Sequence, residues 1–224
     1  MLKSGSQVNS YKGLHYFLDE KGKRIFHKPW LGDSVGFLYD IIMEKNIFPR
    51  KFGASIDKHY QVLREMLIDI HGMEVLELAT GSGSIIHFLA NDNHYTGIDI
   101  SVSLLRQAKK KLVKAGFQES EFYVTSAGNS VFKKNSFQIC ICILSLNFLD
   151  DLNLLVKELA LILQPESSFY ACVPVPERNK TGSKVRGKLF SEEEYRKIFT
   201  EHGFTFSAIE AINGSLLYFT AVKQ

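Results

Sequence analysis

Two glycines stand one residue apart in Glu77-Leu78-Ala79-Thr80-Gly81-Ser82-Gly83-Ser84, directly after a strand-like apolar run. Glycine lets a backbone pass close to a ligand with no Cβ in the way. The amides opening the next helix, expected from about Ile85, favour an anionic group. Sixteen residues beyond Gly83 stands Asp99. A carboxylate at a strand end can accept hydrogen bonds from ribose hydroxyls. A glycine loop with a downstream acid therefore suits an adenosine-containing ligand. Ile86 occupies the third glycine position of GxGxxG, where glycine allows close helix–strand packing beside a pyrophosphate. That counts against a nicotinamide dinucleotide.

The elements around this loop alternate. Residues 75–79, 95–98, 122–124, 139–144 and 169–173 read as strands, the fourth apolar throughout, as in a strand buried on both faces. Leu63, Met66, Leu67 and Ile70 share one helical face over about residues 56–70, closed by His71-Gly72. Leu104, Leu105, Ala108, Leu112 and Ala115 mark a second helix, residues 151–163 a third, and Ser191 with Glu194 caps a fourth that runs to Gly203. Asn213-Gly214 between two strand-like runs signals a closing hairpin. Alternating strands and helices predict an α/β fold with a mostly parallel sheet covered on both sides. The part before Ser55 reads as a helical and loop appendage, bounded by helix-breaking residues 49–53.

The motifs resemble those of class I S-adenosylmethionine-dependent methyltransferases over about residues 58–222. Residues 75–83 resemble that family's first motif, with Glu77 at the acidic position and Ala79 in place of the usual first glycine. Residues 97–101 resemble the second, whose acid, here Asp99, holds the ribose. Ser126-Ala127 falls where the family has Asp-Ala near the adenine, and Gln138 where it has the Asp of Phe-Asp. Glu166-Ser167 replaces a Gly-Gly, and Tyr39-Asp40 resembles the lead-in of quinone-biosynthesis-type members.

The resemblance implies a Rossmann-like fold with a seven-stranded sheet, a C-terminal antiparallel hairpin and an N-terminal helical lid. Residues 1–55 would be the lid and 56–224 the cofactor domain. S-adenosyl-L-methionine would lie against Glu77, Ala79, Thr80, Gly81, Gly83, Asp99, Ile100, Ser126, Ala127 and Leu144. Glu77 would organise the loop and meet the amine of the methionine moiety. The reaction implied is methyl transfer to a small acceptor. A non-catalytic relative that binds the cofactor or a partner, and an RNA or protein methyltransferase, stand as alternatives.

Because the sulfonium carbon is already electrophilic, holding the acceptor in line is the main task, and a base helps only if a proton must leave. The motifs name no catalytic residue. His59 leads the histidines as a candidate base, ahead of His15 and His27, though a lone histidine is more often structural. Asn147 follows the fourth strand, near where acceptors sit, and is otherwise a cap or turn residue. Trp30, Phe37 and Tyr39 either wall an apolar acceptor pocket or anchor the appendage. Arg178, Lys180, Lys184, Arg186 and Lys188 either recognise an acidic acceptor or form a solvated loop. Lys109, Lys110 and Lys111 read as the wet face of a helix.

Composition narrows the class. Apolar residues make up 45% of the 224, charged residues 23%, and the formal net charge is +3, which demands no nucleic-acid partner. Cys140, Cys142 and Cys172 are too few and too apolar in setting for a disulfide framework, and read as buried small hydrophobes. No histidine or cysteine spacing suits zinc. Residues 1–10 lack the apolar stretch of a signal peptide, and no apolar run spans a membrane. The expectation is a cytoplasmic protein with no metal, acting away from membranes.

Overall fold

The computed structural model describes residues 1–27, 38–128, 131–149 and 151–224. Nine strands form one sheet: β1 (Val8–Tyr11), β2 (Leu14–Phe17), β3 (Glu74–Leu78), β4 (His94–Asp99), β5 (Ser120–Val124), β6 (Phe137–Ile143), β7 (Leu163–Pro174), β8 (Phe204–Asn213) and β9 (Leu216–Lys223). Their order is β1-β2-β5-β4-β3-β6-β7-β9-β8. The stretch from β2 to β7 is parallel, and β1, β8 and β9 each join by antiparallel pairing. The last seven strands in that order are the expected sheet with its antiparallel end.

The start of the chain departs from the expected helical appendage. Residues 8–17 form a hairpin whose second strand runs parallel to β5, pairing His15 with Tyr123 and Tyr16 with Val124. The alternation that makes this strand is short: Leu14 and Tyr16 are buried against one side and Phe17 against the other.

Helices follow the apolar spacing. They are α1 (Tyr39–Ile42), α2 (Ile56–Met66), α3 (Val102–Lys114), α4 (Leu152–Ile162) and α5 (Glu192–Glu201). Ser55, Ser101, Asp151 and Ser191 cap the last four through side-chain oxygens, and Ser191 with Glu194 completes a capping box. Two helical expectations need correction. The segment after the glycine loop is a single 3₁₀ turn, Ser84–His87, because only six residues separate it from β4 at His94. And α1 continues into a π-helical segment, Met43–Phe52, that contains Pro49 instead of stopping at it. Proline removes one N–H donor, while burial of Phe48 and Phe52 holds the segment down. The segment ends at Gly53, whose left-handed φ of 60° fits a helix C-terminus.

Two cores lie on opposite faces of the sheet. On one, Leu155, Val156 and Leu159 of α4 and Phe199 of α5 pack on Leu76, Cys140, Cys142 and Phe169. On the other, Leu63 of α2 and Leu105, Ala108 and Leu112 of α3 pack on Val75, Ile139, Ile141 and Tyr218. Each fully buried Leu or Val contributes about 1.5–3 kcal/mol. Neighbours in β6 fall on opposite cores, as strand alternation requires. The cysteines are free and buried, as expected.

The end of the sheet grips the start of the chain. The turn at Gly214-Ser215 docks on the π-helical segment, with the Ser215 amide donating to Phe52 O at 2.8 Å. A Cβ at Gly214 would stand 2.0 Å from that carbonyl, so only glycine fits.

Candidate functional site

A cleft opens at the C-terminal ends of β3 and β6, enclosing about 590 Å³ of empty space, part of it continuous with solvent. Its floor is the loop after β3, with Glu77, Ala79, Thr80, Gly81, Ser82 and Ser84. Ile143, Leu144 and Ser145, where β6 ends, form one side. The roof comes from the N-terminal segment: Tyr39, Asp40, Met43 and Phe48. Ile56, His59 and Tyr60 of α2 close the back.

Among the described residues, five non-glycine residues have left-handed φ, and two of them, Ala79 (54°) and Leu144 (57°), line the cleft. Such residues each cost about 1–2 kcal/mol and gather at functional sites. The two loop glycines differ in purpose. Gly81 has φ +57°, and a Cβ there would meet nothing nearer than 3.9 Å, so its backbone is bare to the cleft. Gly83 lies outside the cleft wall, and a Cβ would come within 2.7 Å of the Ala108 Cα. Its job is to let the loop lie against α3.

Asp99 sets the loop's shape. One carboxylate oxygen accepts the Gly81 amide and the other the Ser101 amide, both at 2.8 Å. Two backbone amides thus fix the orientation of this carboxylate. Glu77 is 3% exposed and accepts a hydrogen bond from the Tyr95 hydroxyl. Burial pushes its pKa up to about 8, although the Tyr95 and Thr80 hydroxyls oppose the shift. Asp40 reaches down from the roof. It accepts from Ser82 Oγ at 2.5 Å and pairs with Lys111 at 2.5 Å. Burial, then the charges of Asp99 and Asp40, push the Tyr39 phenol up to about 12. His59 is 2% exposed, and burial takes its pKa down to about 3.

Other candidates are distributed as follows. Glu77, Ala79, Thr80, Gly81 and Leu144 line the cleft, and Asp99 buttresses it through Gly81. Ile100 sits half-exposed at the end of β4. Ser126 is half-buried outside the cleft wall, and Ala127 lines a smaller apolar cavity on the other face of the sheet, with Leu76, Leu78 and Phe132. Gln138 starts β6, at the opposite end of that strand from the cleft, and its side chain accepts the Glu74 amide. Its lack of charge therefore does not touch the cleft. Asn147 is buried and clips the basic loop, donating to Arg186 O at 2.7 Å while its own carbonyl accepts the Lys188 amide. Arg178 pairs with Glu192 and donates to Leu216 O. None of the five loop cations lines the cleft. His15 stacks on Tyr123 at the sheet edge. Tyr39 is in the roof, while Trp30 and Phe37 lie outside the described residues.

Met43 and Phe48 are site residues that the sequence did not flag, and Asp40 stood out only within the Tyr39-Asp40 resemblance. The only local signal of Met43, Phe48 and Phe52 is an apolar spacing of four to five, which suits the π-helical turn and not an α-helical face.

The donor set fits S-adenosylmethionine. A bare glycine backbone, a buried acid at the loop, an acid at the end of β4 and apolar walls match a ligand with a ribose, an ammonium and a sulfonium-linked adenosine. Among the described residues no helix is long and apolar enough to cross a membrane, and no cluster could hold a metal ion.

Known proteins share the domain and the fold. A family model described as "Methyltransferase domain" matches residues 70–203. A ubiquinone/menaquinone biosynthesis C-methyltransferase of Rickettsia bellii is 35% identical over 103 residues, which is 42% of each chain. The chain thus spans less than half the length of that relative. A demethylmenaquinone methyltransferase of Thermotoga maritima is 26% identical over 173 residues, 76% of this chain and 70% of that one. Among solved structures, a SAM-dependent methyltransferase from Aquifex aeolicus superposes with a TM-score of 0.65 at 17% identity, covering 88% of this chain and all of its own. The putative methyltransferase of Haloferax volcanii, solved with its Trm112 activator, gives 0.66 at 16% identity, covering 88% and 99%. The match spans more than half of the chain and contains the glycine loop, Asp99 and strands β3 to β7, so this chain belongs to the methyltransferase domain family.

Proposed function

We propose that the chain transfers the methyl group of S-adenosylmethionine to a small acceptor with an apolar body. The observation that carries this reading is the cleft itself: the loop of Glu77 and Gly81, braced by Asp99, is roofed by Met43 and Phe48 within one enclosure. Cofactor and acceptor would meet there away from bulk water.

The bound cofactor would supply an electrophilic methyl carbon, and the chain's own residues do the rest. Gly81 offers its backbone, Asp99 holds the loop for the ribose, and Glu77 faces the positive methionine end. Met43, Phe48, Ile56 and Leu144 would hold the acceptor and exclude water, which converts proximity into rate. Among the described residues no cation lines the cleft wall to meet an acidic acceptor, since the basic loop lies outside it. In this reading residues 39–52 act as the lid, and residues 56–224 hold the cofactor. Two relatives named for quinone methylation make a hydroquinone the first acceptor to try.

Calorimetric titration with S-adenosylmethionine, S-adenosylhomocysteine and NAD tests the reading. Micromolar binding of the first two, absent for NAD and lost in Asp99→Ala, is expected. Failure of both sulfur ligands to bind the wild type would overturn it.

A further inference from the structure

Beneath the cleft runs a polar chain that cofactor binding does not use. The Asn213 amide is oriented by the Ser55 backbone: Ser55 N–H donates to Oδ1, and Nδ2 donates to Ser55 O, both at 2.9 Å. With that orientation fixed, Nδ2 also donates to the buried Tyr218 hydroxyl at 3.0 Å. The same hydroxyl lies 3.0 Å from His59 Nδ1, and Cys172 Sγ lies 3.9 Å from that nitrogen. The ring of Phe48 packs on the imidazole with centroids 5.0 Å apart.

This holds the imidazole with Nδ1 toward the sheet. Nε2, at the other edge of the ring, makes no hydrogen bond to any described residue. Nor is it among the fully enclosed unpartnered atoms, which belong to Glu74, Asn147, Glu158, Tyr195 and Ser215. Since His59 lines the cleft, Nε2 opens into it.

The other titratable groups on the wall are committed. Asp40 takes Ser82 and Lys111, and Glu77 takes Tyr95. The Tyr39 and Tyr60 phenols are pushed up to about 12, chiefly by burial, so they stay protonated and offer no phenolate base. Among the described residues, His59 is the cleft group that presents a neutral basic lone pair. Burial keeps it neutral across the physiological range.

We propose that His59 Nε2 accepts the proton that the acceptor surrenders, with Tyr218 as the positioning residue. The proposal rests on the methyl-transfer reading above. The acceptor's nucleophilic atom bonds the methyl carbon, the electron pair of the broken carbon–sulfur bond stays on sulfur, and the acceptor's proton passes to Nε2. The sulfur becomes a neutral thioether, the imidazole becomes an imidazolium, and the proton then leaves to solvent. A weak base suffices, because a nucleophile that has gained a methyl while keeping its proton is far more acidic than before. The acceptor class follows: a phenolic or enolic oxygen, a ring carbon that must lose hydrogen, or an N–H, carried on an apolar body. The tautomer follows too. Nδ1 must carry the hydrogen and donate to Tyr218, whose own hydrogen turns to Cys172.

The test uses the full chain labelled with ¹⁵N-histidine and saturated with S-adenosylhomocysteine. The expected spectrum shows His59 protonated at Nδ1 and bare at Nε2, and Tyr218→Phe shifts that signal. A hydrogen on Nε2 would overturn the proposal whether or not any acceptor is in hand. With 1,4-naphthohydroquinone and radiolabelled S-adenosylmethionine, His59→Gln should lower kcat by about 10²–10⁴-fold, the usual contribution of a positioned base. Its affinity for S-adenosylhomocysteine and the KM for S-adenosylmethionine should stay unchanged. Wild-type kcat in a folded His59→Gln variant that still binds S-adenosylhomocysteine would overturn the role of His59 alone. Absence of S-adenosylhomocysteine binding in the wild type would instead strike the methyl-transfer reading.

Discussion

The Asp40 carboxylate of the roof accepts a hydrogen bond from the Ser82 hydroxyl of the floor, 2.5 Å away, and so ties two walls of the cleft across 42 positions of sequence. Lys111 of α3 holds the second oxygen of the same carboxylate. Asp40 is half-exposed, so the pair contributes at most about 1 kcal/mol to stability. Asp40→Ala should therefore leave the urea midpoint nearly unchanged. Amide hydrogen exchange over residues 39–52 should accelerate, since the roof loses its polar tether. Unchanged exchange there would show that Phe48 and Phe52 alone hold it.

The two loop glycines should separate folding from binding. Gly83→Ala forces a Cβ to within 2.7 Å of the Ala108 backbone at a left-handed φ, and should cost about 2–4 kcal/mol in urea unfolding. Gly81→Ala meets open space and should cost only about 1–2 kcal/mol. It should nevertheless weaken S-adenosylhomocysteine binding more than ten-fold in calorimetry, because the new methyl group projects from the bare backbone.

Stability should depend on pH through two buried groups of opposite sign. Glu77 is raised from 4.5 to about 8, so the folded state holds its proton more tightly, and stability falls as pH rises from about 4.5 through 8. His59 is lowered from 6.5 to about 3, so stability falls as pH drops from about 6.5 through 3. In urea unfolding between pH 4 and 9, Glu77→Gln should flatten the alkaline limb and His59→Gln the acid limb. Identical slopes in the wild type and Glu77→Gln above pH 6 would show that Glu77 titrates normally.

Cofactor binding should release a proton near neutral pH. Glu77 is protonated below about 8 in the free protein, and an ammonium arriving beside it favours the carboxylate. The calorimetric enthalpy for S-adenosylhomocysteine should then vary with the ionisation enthalpy of the buffer at pH 7. Glu77→Gln should remove that dependence.

The sheet was legible because strand and helix periods alternate cleanly after Ile56, and because Asn213-Gly214 marks a hairpin. The turn sits one residue later than that dipeptide suggests, at Gly214-Ser215, since Asn213 pairs with Leu216 and its side chain is spent on Ser55 and Tyr218. The floor of the cleft was legible for a local reason: Gly81 and Asp99 act through backbone geometry at strand ends. The roof was not. Met43 and Phe48 reach the cleft through a π-helical winding that no 3.6-residue period reports, and the Tyr218–His59 contact joins residues 159 apart. Residues 8–17 escaped notice because two four-residue strands carry too little alternation to stand out from a loop.

That hairpin has a consequence for how the chain is made. Tyr16 pairs with Val124, so the ribosome must add about 110 more residues before the hairpin's docking strand exists, roughly 5–20 seconds of synthesis. A lone two-stranded ribbon is marginal in water. Residues 8–17 therefore gain lasting structure only after β5 has been made, and until then Leu14, Tyr16 and Phe17 are apolar bait for chaperones.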